Sequence, residues 1–584
     1  MCIHLKSCRD NSRENRSSTD KGALCFNVTV LILIAVVTIA VVNFWIFLDQ
    51  PKVRIGEGYI MGTTMRTRNG RKIFAFLGVP YAEPPLRNLR FRNPVPKNAW
   101  GGTLKAHEEG HQCLQFHGNN IVGDENCLTL NIYTPKVKRS NLPVLVFIHG
   151  GGYLTGNSSH YLYGLDHLLD KDLLLVTLNY RLGPFGFLST GDAAASGNFG
   201  LKDQVLALKW VWRNIRAFGG NRKEITLVGQ NVGATCAHLH SLSNSSKHLF
   251  NNYIEQSEIA MPSLAFRFSS SYFDAAKRLG ARNDCPTNDS YLLVSCLKRL
   301  TARELMKTSS VFTRVQELVE AEWGPVVEPK SRGAFLTESP LILVDRCQLK
   351  NSSIMMGFIS DEAFPILQNL YHNETAYNLF ARDPLSLMVE LLDNIYFLRS
   401  KNTTRIAIEA KQFYLGVQMP TDKAQVLRGI SQFMADVIVL YPSAYYIKYV
   451  TEHCGQKIYV YLLNYRGTSS TLFNPENYEK LSVGRTDDPV YLFPRNLTYG
   501  DVNYDFERAS SARNISDLIV DFWTSFVITS VPTSNLLKEP SLWKPYANNS
   551  SFLQIGNTSD ATTTLQTSFF EERMRFVHNM YYYT

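Results

Sequence analysis

The stretch Leu227-Val228-Gly229-Gln230-Asn231-Val232-Gly233-Ala234 has the pattern of a nucleophile elbow. An apolar run, Ile225 to Val228, leads into a Gly-x-x-x-Gly turn, and a helix-like stretch follows from Ala234. Two glycines let a strand fold sharply into a helix and expose the central side chain. Acyl transfer at such a turn uses a hydroxyl, and Asn231 stands in its place; a carboxamide is a poor nucleophile. Deamidation of Asn231 to an aspartate nucleophile is disfavoured by Val232 as the next residue. The plainer reading is a residue that tolerates the unusual backbone and hydrogen-bonds locally. Upstream, His149-Gly150-Gly151-Gly152 follows the apolar stretch Val144 to Ile148. Glycines there let the amides of Gly151 and Gly152 turn toward a cavity and, with that of Val232, form an oxyanion-type donor set. Alone this tetrapeptide reads equally as a flexible loop; about eighty residues before an elbow it becomes specific.

Strands alternating with helices must position these groups. Pro143 to Ile148, Asp172 to Asn179, Ile225 to Val228 and Lys457 to Leu463 read as buried strands. Lys202 to Phe218 carries Val205, Leu208, Val211, Trp212 and Ile215 at helical spacing and stops at Gly219-Gly220. This alternation predicts an open mixed sheet covered on both faces. Neither an internal repeat nor an interdomain linker is visible in the 584 residues, so one large domain over 49–584 is expected. Apolar content of 45% supplies a large core, and the net charge of +9 is scattered rather than blocked, which argues against nucleic acid as a partner.

Residues 1–22 are polar and read as a short cytoplasmic tail. Residues 23–48 are apolar except for Asn27, Thr29, Thr38 and Asn43. As a helix they would span roughly 39 Å, enough for a ~30 Å hydrocarbon core. A cleaved signal peptide is the rival reading, but the run is too long and no small-x-small site follows it. A transmembrane signal anchor is therefore expected, with Trp45 and Phe47 at the interface. Asn157, Asn244, Asn288, Asn351, Asn373, Asn402, Asn496, Asn514, Asn548, Asn549 and Asn557 head Asn-x-Ser/Thr triplets, all beyond the span. Their density places the body outside the cell, anchored in the plasma membrane with the N-terminus cytoplasmic. Ten cysteines are too few for a disulfide-built scaffold, although Cys113 with Cys127 and Cys285 with Cys296 have spacings that would close short loops. Cys236, Cys347 and Cys454 could be free and buried.

Further motifs carry a family resemblance. They include Phe76-Leu77-Gly78-Val79-Pro80-Tyr81-Ala82-Glu83-Pro84-Pro85, Glu125-Asn126-Cys127-Leu128-Thr129-Leu130-Asn131-Ile132-Tyr133 and Asn179-Tyr180-Arg181-Leu182-Gly183. Asn198-Phe199-Gly200-Leu201-Lys202-Asp203-Gln204 and Trp543-Lys544-Pro545-Tyr546 continue them. From about Val53 onward the chain resembles the cholinesterase/type-B carboxylesterase family. The resemblance implies an α/β-hydrolase fold, a large mixed, mostly parallel sheet with helices on both faces. It also implies disulfides Cys113–Cys127 and Cys285–Cys296, and a dimer through helices beside the sheet's end. The family's triad acid matches Glu362, and its histidine position is held by Arg485, whose guanidinium has no lone pair to accept a proton. Pairing of Arg485 with Glu362 in a structural ion pair is the expected outcome. His372, His453 and His578 are the only histidines after Glu362, and none is placed by the chain order to replace the missing base.

With serine and histidine both replaced, the resemblance points to the family's catalytically inactive membrane adhesion branch, which includes neurotactin, gliotactin and the neuroligins, with secreted glutactin nearby. The expectation is a non-catalytic recognition protein that binds a protein ligand on another cell or in the matrix. It needs neither cofactor nor metal. Two alternatives stand beside it: a carboxylic-ester hydrolase with residual or unrecognised activity, and a binding protein for an apolar ligand in the relict gorge.

Overall fold

The computed structural model describes residues 30–35, 38, 50–137, 140–260, 269–309, 323–360, 362–363, 373–393, 402–465, 489–493, 510–539, 542–546, 550–558 and 560–582. By internal contacts the chain divides into Met1–Pro51 and Lys52–Thr584. In the first unit residues 30–35 are helical and exposed. Among the described residues no helix is long and apolar enough to cross a membrane. The expected transmembrane helix over 23–48 is therefore not seen, and most of that run lies outside the described residues.

The second unit is built on an eleven-stranded sheet. In chain order its strands are β1 (Thr63–Arg66), β2 (Lys72–Pro80), β3 (Thr129–Thr134), β4 (Leu142–Ile148), β5 (Leu174–Leu178), β6 (Gly220–Gln230), β7 (Asn252–Gln256), β8 (Ser353–Ile359), β9 (Lys457–Tyr465), β10 (Phe552–Thr558) and β11 (Asp560–Gln566). Their spatial order is β11-β10-β9-β8-β7-β6-β4-β5-β3-β2-β1. The strands from β10 through β5 are mutually parallel, and β11, β3, β2 and β1 are antiparallel additions at the edges. Mixed, mostly parallel pairing with both faces covered is the α/β-hydrolase arrangement.

The central strands lie here because they have no polar face. Every residue of β4 is buried. Val144, Val146 and Ile148 enter the core on one side, while Leu145 and Phe147 enter the core on the other. Successive side chains of a strand point to opposite faces, so a fully apolar run suits only a strand sandwiched between two layers. The first core takes Leu201, Val205, Leu208 and Val211 of α1 (Phe199–Asn214), together with Cys236 and Leu239 of α2 (Val232–Leu242). The second takes Ile515, Ile519 and Trp523 of a later helix (Ser510–Thr529). Each such aliphatic side chain contributes about 1.5–3 kcal/mol on burial. The expected helix over 202–218 is α1 followed by a tighter turn, Ile215–Phe218, which ends on Gly219 at φ 92°. That left-handed position is cheap only for glycine, and it releases the chain into β6.

Three disulfides tie down the periphery. Cys113–Cys127 and Cys285–Cys296 close loops with separations of 14 and 11 residues. Cys347 and Cys454, read above as possibly free, are bonded to each other across 107 residues, and among the described residues Cys236 is the one free cysteine, buried. Constraint of the unfolded chain favours the long loop, by about 4.7 kcal/mol against about 3 kcal/mol for a short one.

Candidate active site

The elbow joins β6 to α2 at Asn231, whose backbone sits at φ 56°, ψ −132°. This conformation is costly for a side-chain-bearing residue, and the surrounding contacts hold it. A Cβ on Gly229 would lie 1.9 Å from the Gly233 carbonyl oxygen, and one on Gly233 would lie 2.3 Å from that of Ile148. Strand, turn and helix thus touch backbone to backbone, and both glycines are obligatory. The Asn231 N–H donates to Gln256 O at 3.0 Å, which fixes the turn against the end of β7. Its side chain is half-buried. The Val232 N–H donates to Asn231 Oδ1 at 2.7 Å. An N–H donor requires the amide oxygen on that side, so Asn231 Nδ2, with two donor hydrogens, faces the other way.

The glycine loop after β4 packs on the elbow. A Cβ on Gly150 would meet Gln230 O at 2.7 Å and Asn231 Cβ at 2.9 Å. Gly151 and Gly152 have φ of 111° and 63°, and both are accessible. The Gly151 carbonyl accepts the Leu154 and Thr155 N–H groups, each at 3.0 Å, which turns the loop back on itself. His149 braces it from below: its Nδ1 bonds Gly150 O at 2.8 Å, its ring stacks on Tyr180 at 4.5 Å, and the Tyr180 hydroxyl donates to His149 O at 2.9 Å. The Cys113–Cys127 loop adds Gln115, which donates to Gly156 O at 2.9 Å and accepts from Gly156 N at 2.8 Å.

Burial lowers the His149 pKa to about 4. The imidazole is neutral at pH 7 and serves as a brace. The unfolded chain would take up a proton near pH 6.5 and the folded chain only near 4. The resulting stability is present above pH 6.5 and lost as pH falls toward 4. By pH 5 this one group costs about 2 kcal/mol of stability. In urea unfolding at pH 7 and pH 5, His149→Gln is expected to lose correspondingly less between the two pH values than the unmutated chain; equal losses would count against the assignment.

Glu362 is fully buried just after β8, two strands from the elbow, and its Oε1 accepts the Ile359 N–H at 3.0 Å. Arg485 lies outside the described residues, as do its expected pairing with Glu362 and the triplets at Asn496, Asn548 and Asn549. His372 is also outside them. His453 is on the helix α4 (Tyr441–Cys454, with α3 being Pro340–Asp345), and His578 bonds the Tyr441 hydroxyl at 2.9 Å. Of the remaining triplets, Asn157 donates to Gln112 and Asn402 caps a helix by accepting from Arg405 N, while Asn244, Asn288, Asn351, Asn373, Asn514 and Asn557 lie within the described residues.

Two residues at this end of the sheet escaped the sequence reading. Ser257 follows β7 with φ 74°, and its N–H donates to Gly357 O at 2.8 Å. Glu258 is buried and accepts from the Thr235 hydroxyl in the first turn of α2 at 3.5 Å. The only available signal was a Ser-Glu pair ending an apolar-polar run too short to read as a strand. Together the site offers amide donors, one carboxamide donor and nearby buried carboxylates. That set can polarise a carbonyl and stabilise negative charge developing on its oxygen.

Residues 49–577 match the carboxylesterase family. Esterase E4 of Myzus persicae is 33% identical over 514 residues, covering 86% of this chain and 90% of that protein. A juvenile hormone esterase of Tribolium castaneum is 31% identical over 506 residues, covering 83% and 84%. The solved juvenile hormone esterase of Manduca sexta, with OTFP covalently attached, superposes with a TM-score of 0.77 at 25% identity, covering 91% of this chain and all of that one. These relatives are named esterases, and the last carries a covalent adduct. They overturn the expectation of a non-catalytic adhesion protein and of an inactive homologue.

Proposed function

The chain belongs to the carboxylesterase family, and from that premise we propose that it is a carboxylic-ester hydrolase in which water, rather than a side chain at the elbow, attacks the ester carbon. The ester carbonyl oxygen lies against the Gly151 and Gly152 amides and Asn231 Nδ2. Glu362 accepts the proton of the attacking water, and the alcohol leaves with a proton returned from the same side. The observation that supports this reading is the preserved elbow, in which Asn231 holds the strained turn and spends its Oδ1 on the Val232 N–H, leaving Nδ2 as the donor end of the carboxamide. Donor sets and binding without a working triad still give roughly 10³–10⁴-fold acceleration over water. A slow esterase is therefore expected.

Initial rates with a phenyl ester test the roles. Asn231→Ala removes one oxyanion donor and is expected to lower kcat about 10²-fold with little change in KM. Glu362→Gln removes the proton acceptor and is expected to lower kcat about 10²-fold. Unchanged kcat in both variants would remove the reading.

A further inference from the structure

A cavity of about 320 Å³ lies between α3 and α4, away from the elbow, and has no part in the chemistry above. Its walls are Leu341, Ile342 and Val344 on one side and Tyr445 and Tyr449 on the other, with Tyr446 buried between them and Asp345 as the one charged residue among the described lining. Tyr445, Tyr449 and His453 recur every four residues along α4. Their rings stack in sequence, at 6.4 Å and then 4.5 Å between centroids, each pair 16° from parallel. Tyr446 is held from beneath by the His238 ring at 4.7 Å. The Tyr449 hydroxyl donates to Asp345 Oδ1 at 2.9 Å, joining the acid to the aromatic wall. The Cys347–Cys454 disulfide ties the chain just after α3 to the end of α4, so the two walls are fixed before anything binds. Arg346, the neighbouring cation, pairs with Glu338 at 3.1 Å, and among the described residues no basic side chain pairs with Asp345.

Aromatic faces carry negative potential, and a carboxylate beside them adds to it. Aliphatic walls take an apolar group. We propose that this cleft binds an amphiphilic amine, an apolar group of drug-like size bearing one ammonium, with the ammonium at Asp345 and Tyr449 and the apolar part between Leu341 and Tyr445. The volume falls at the small end of ligand pockets. The chain as a whole carries +9, so general electrostatics disfavours cations, and any preference for one must arise locally.

Calorimetry on the full chain with three probes of one shape tests this: 2-phenylethylammonium, neutral 2-phenylethanol and anionic phenylacetate. The ammonium is expected to bind about tenfold more tightly than the alcohol, with the anion weakest. Asp345→Asn should abolish that discrimination, and Tyr445→Ala should weaken the ammonium about fivefold. Glu409→Gln, on a helix outside the cleft where it pairs with Arg405, should change nothing. Equal affinities for the three probes would overturn the proposal. So would an unchanged ammonium affinity in Asp345→Asn, or an equal loss in Glu409→Gln.

Discussion

Asn231→Ser combined with Arg485→His is expected to raise kcat/KM for a simple ester at least ~10³-fold above either single variant. The reason is structural. Gly229 and Gly233 already make the close backbone contacts that the turn requires, and position 231 keeps its strained backbone. Glu362 is in place at the end of β8. The serine change alone supplies a hydroxyl with no base, and the histidine change alone supplies a base with nothing to activate, so the gain belongs to the pair. A fluorophosphonate should label the double variant at position 231, as read by peptide mass spectrometry. No gain over the single variants would mean that the cradle around the elbow is not competent.

Asp203→Ala is expected to destabilise the fold by about 3–5 kcal/mol, a large share of the ~5–15 kcal/mol typical of a domain. Asp203 accepts from Arg181 Nε at 2.7 Å, Nη2 at 2.6 Å and the Arg181 backbone N–H at 3.1 Å, and both residues are buried. Removing the carboxylate strands a guanidinium in a dry interior, which costs more than the pair contributes when intact. The pair also joins the first turns of α1 to the segment after β5 that includes Tyr180, which supports His149 and the oxyanion loop. Asp203→Asn keeps the shape and should lose less. Urea unfolding distinguishes these outcomes, and a change below about 1 kcal/mol for the alanine variant would show that the pair can be repaired locally.

The sheet was legible where strands are apolar over most of their length. β4, β5 and β9 were all read within a few residues of their ends. α1 was legible from the spacing of Val205, Leu208 and Val211, and the elbow and donor loop from their glycines. β7 was not, because Glu255 interrupts Asn252–Gln256, and only the fold shows its carboxyl buried 3.4 Å from His238 Nδ1. Burial holds the Glu255 pKa well above the usual carboxylate range. With β7 unread, Ser257 and Glu258 could not be placed beside the elbow. The Cys347–Cys454 bond was hidden for a similar reason, since a sequence separation of 107 carries no signal of proximity. The function was misjudged on a narrower ground. Asn231 was seen as a lost nucleophile, while its second chemical capacity, donation from Nδ2, depends on a hydrogen bond to Val232 that only the structure reveals.

The most direct test of water attack at this elbow is intact-mass spectrometry of the purified full chain during steady-state turnover of a phenyl ester, with the rate followed in parallel. The expected result is saturable hydrolysis roughly 10³–10⁴-fold above buffer, reduced in Asn231→Ala, with the protein's mass unchanged throughout. Hydrolysis no faster than buffer, or an acyl adduct accumulating on the chain, would contradict it.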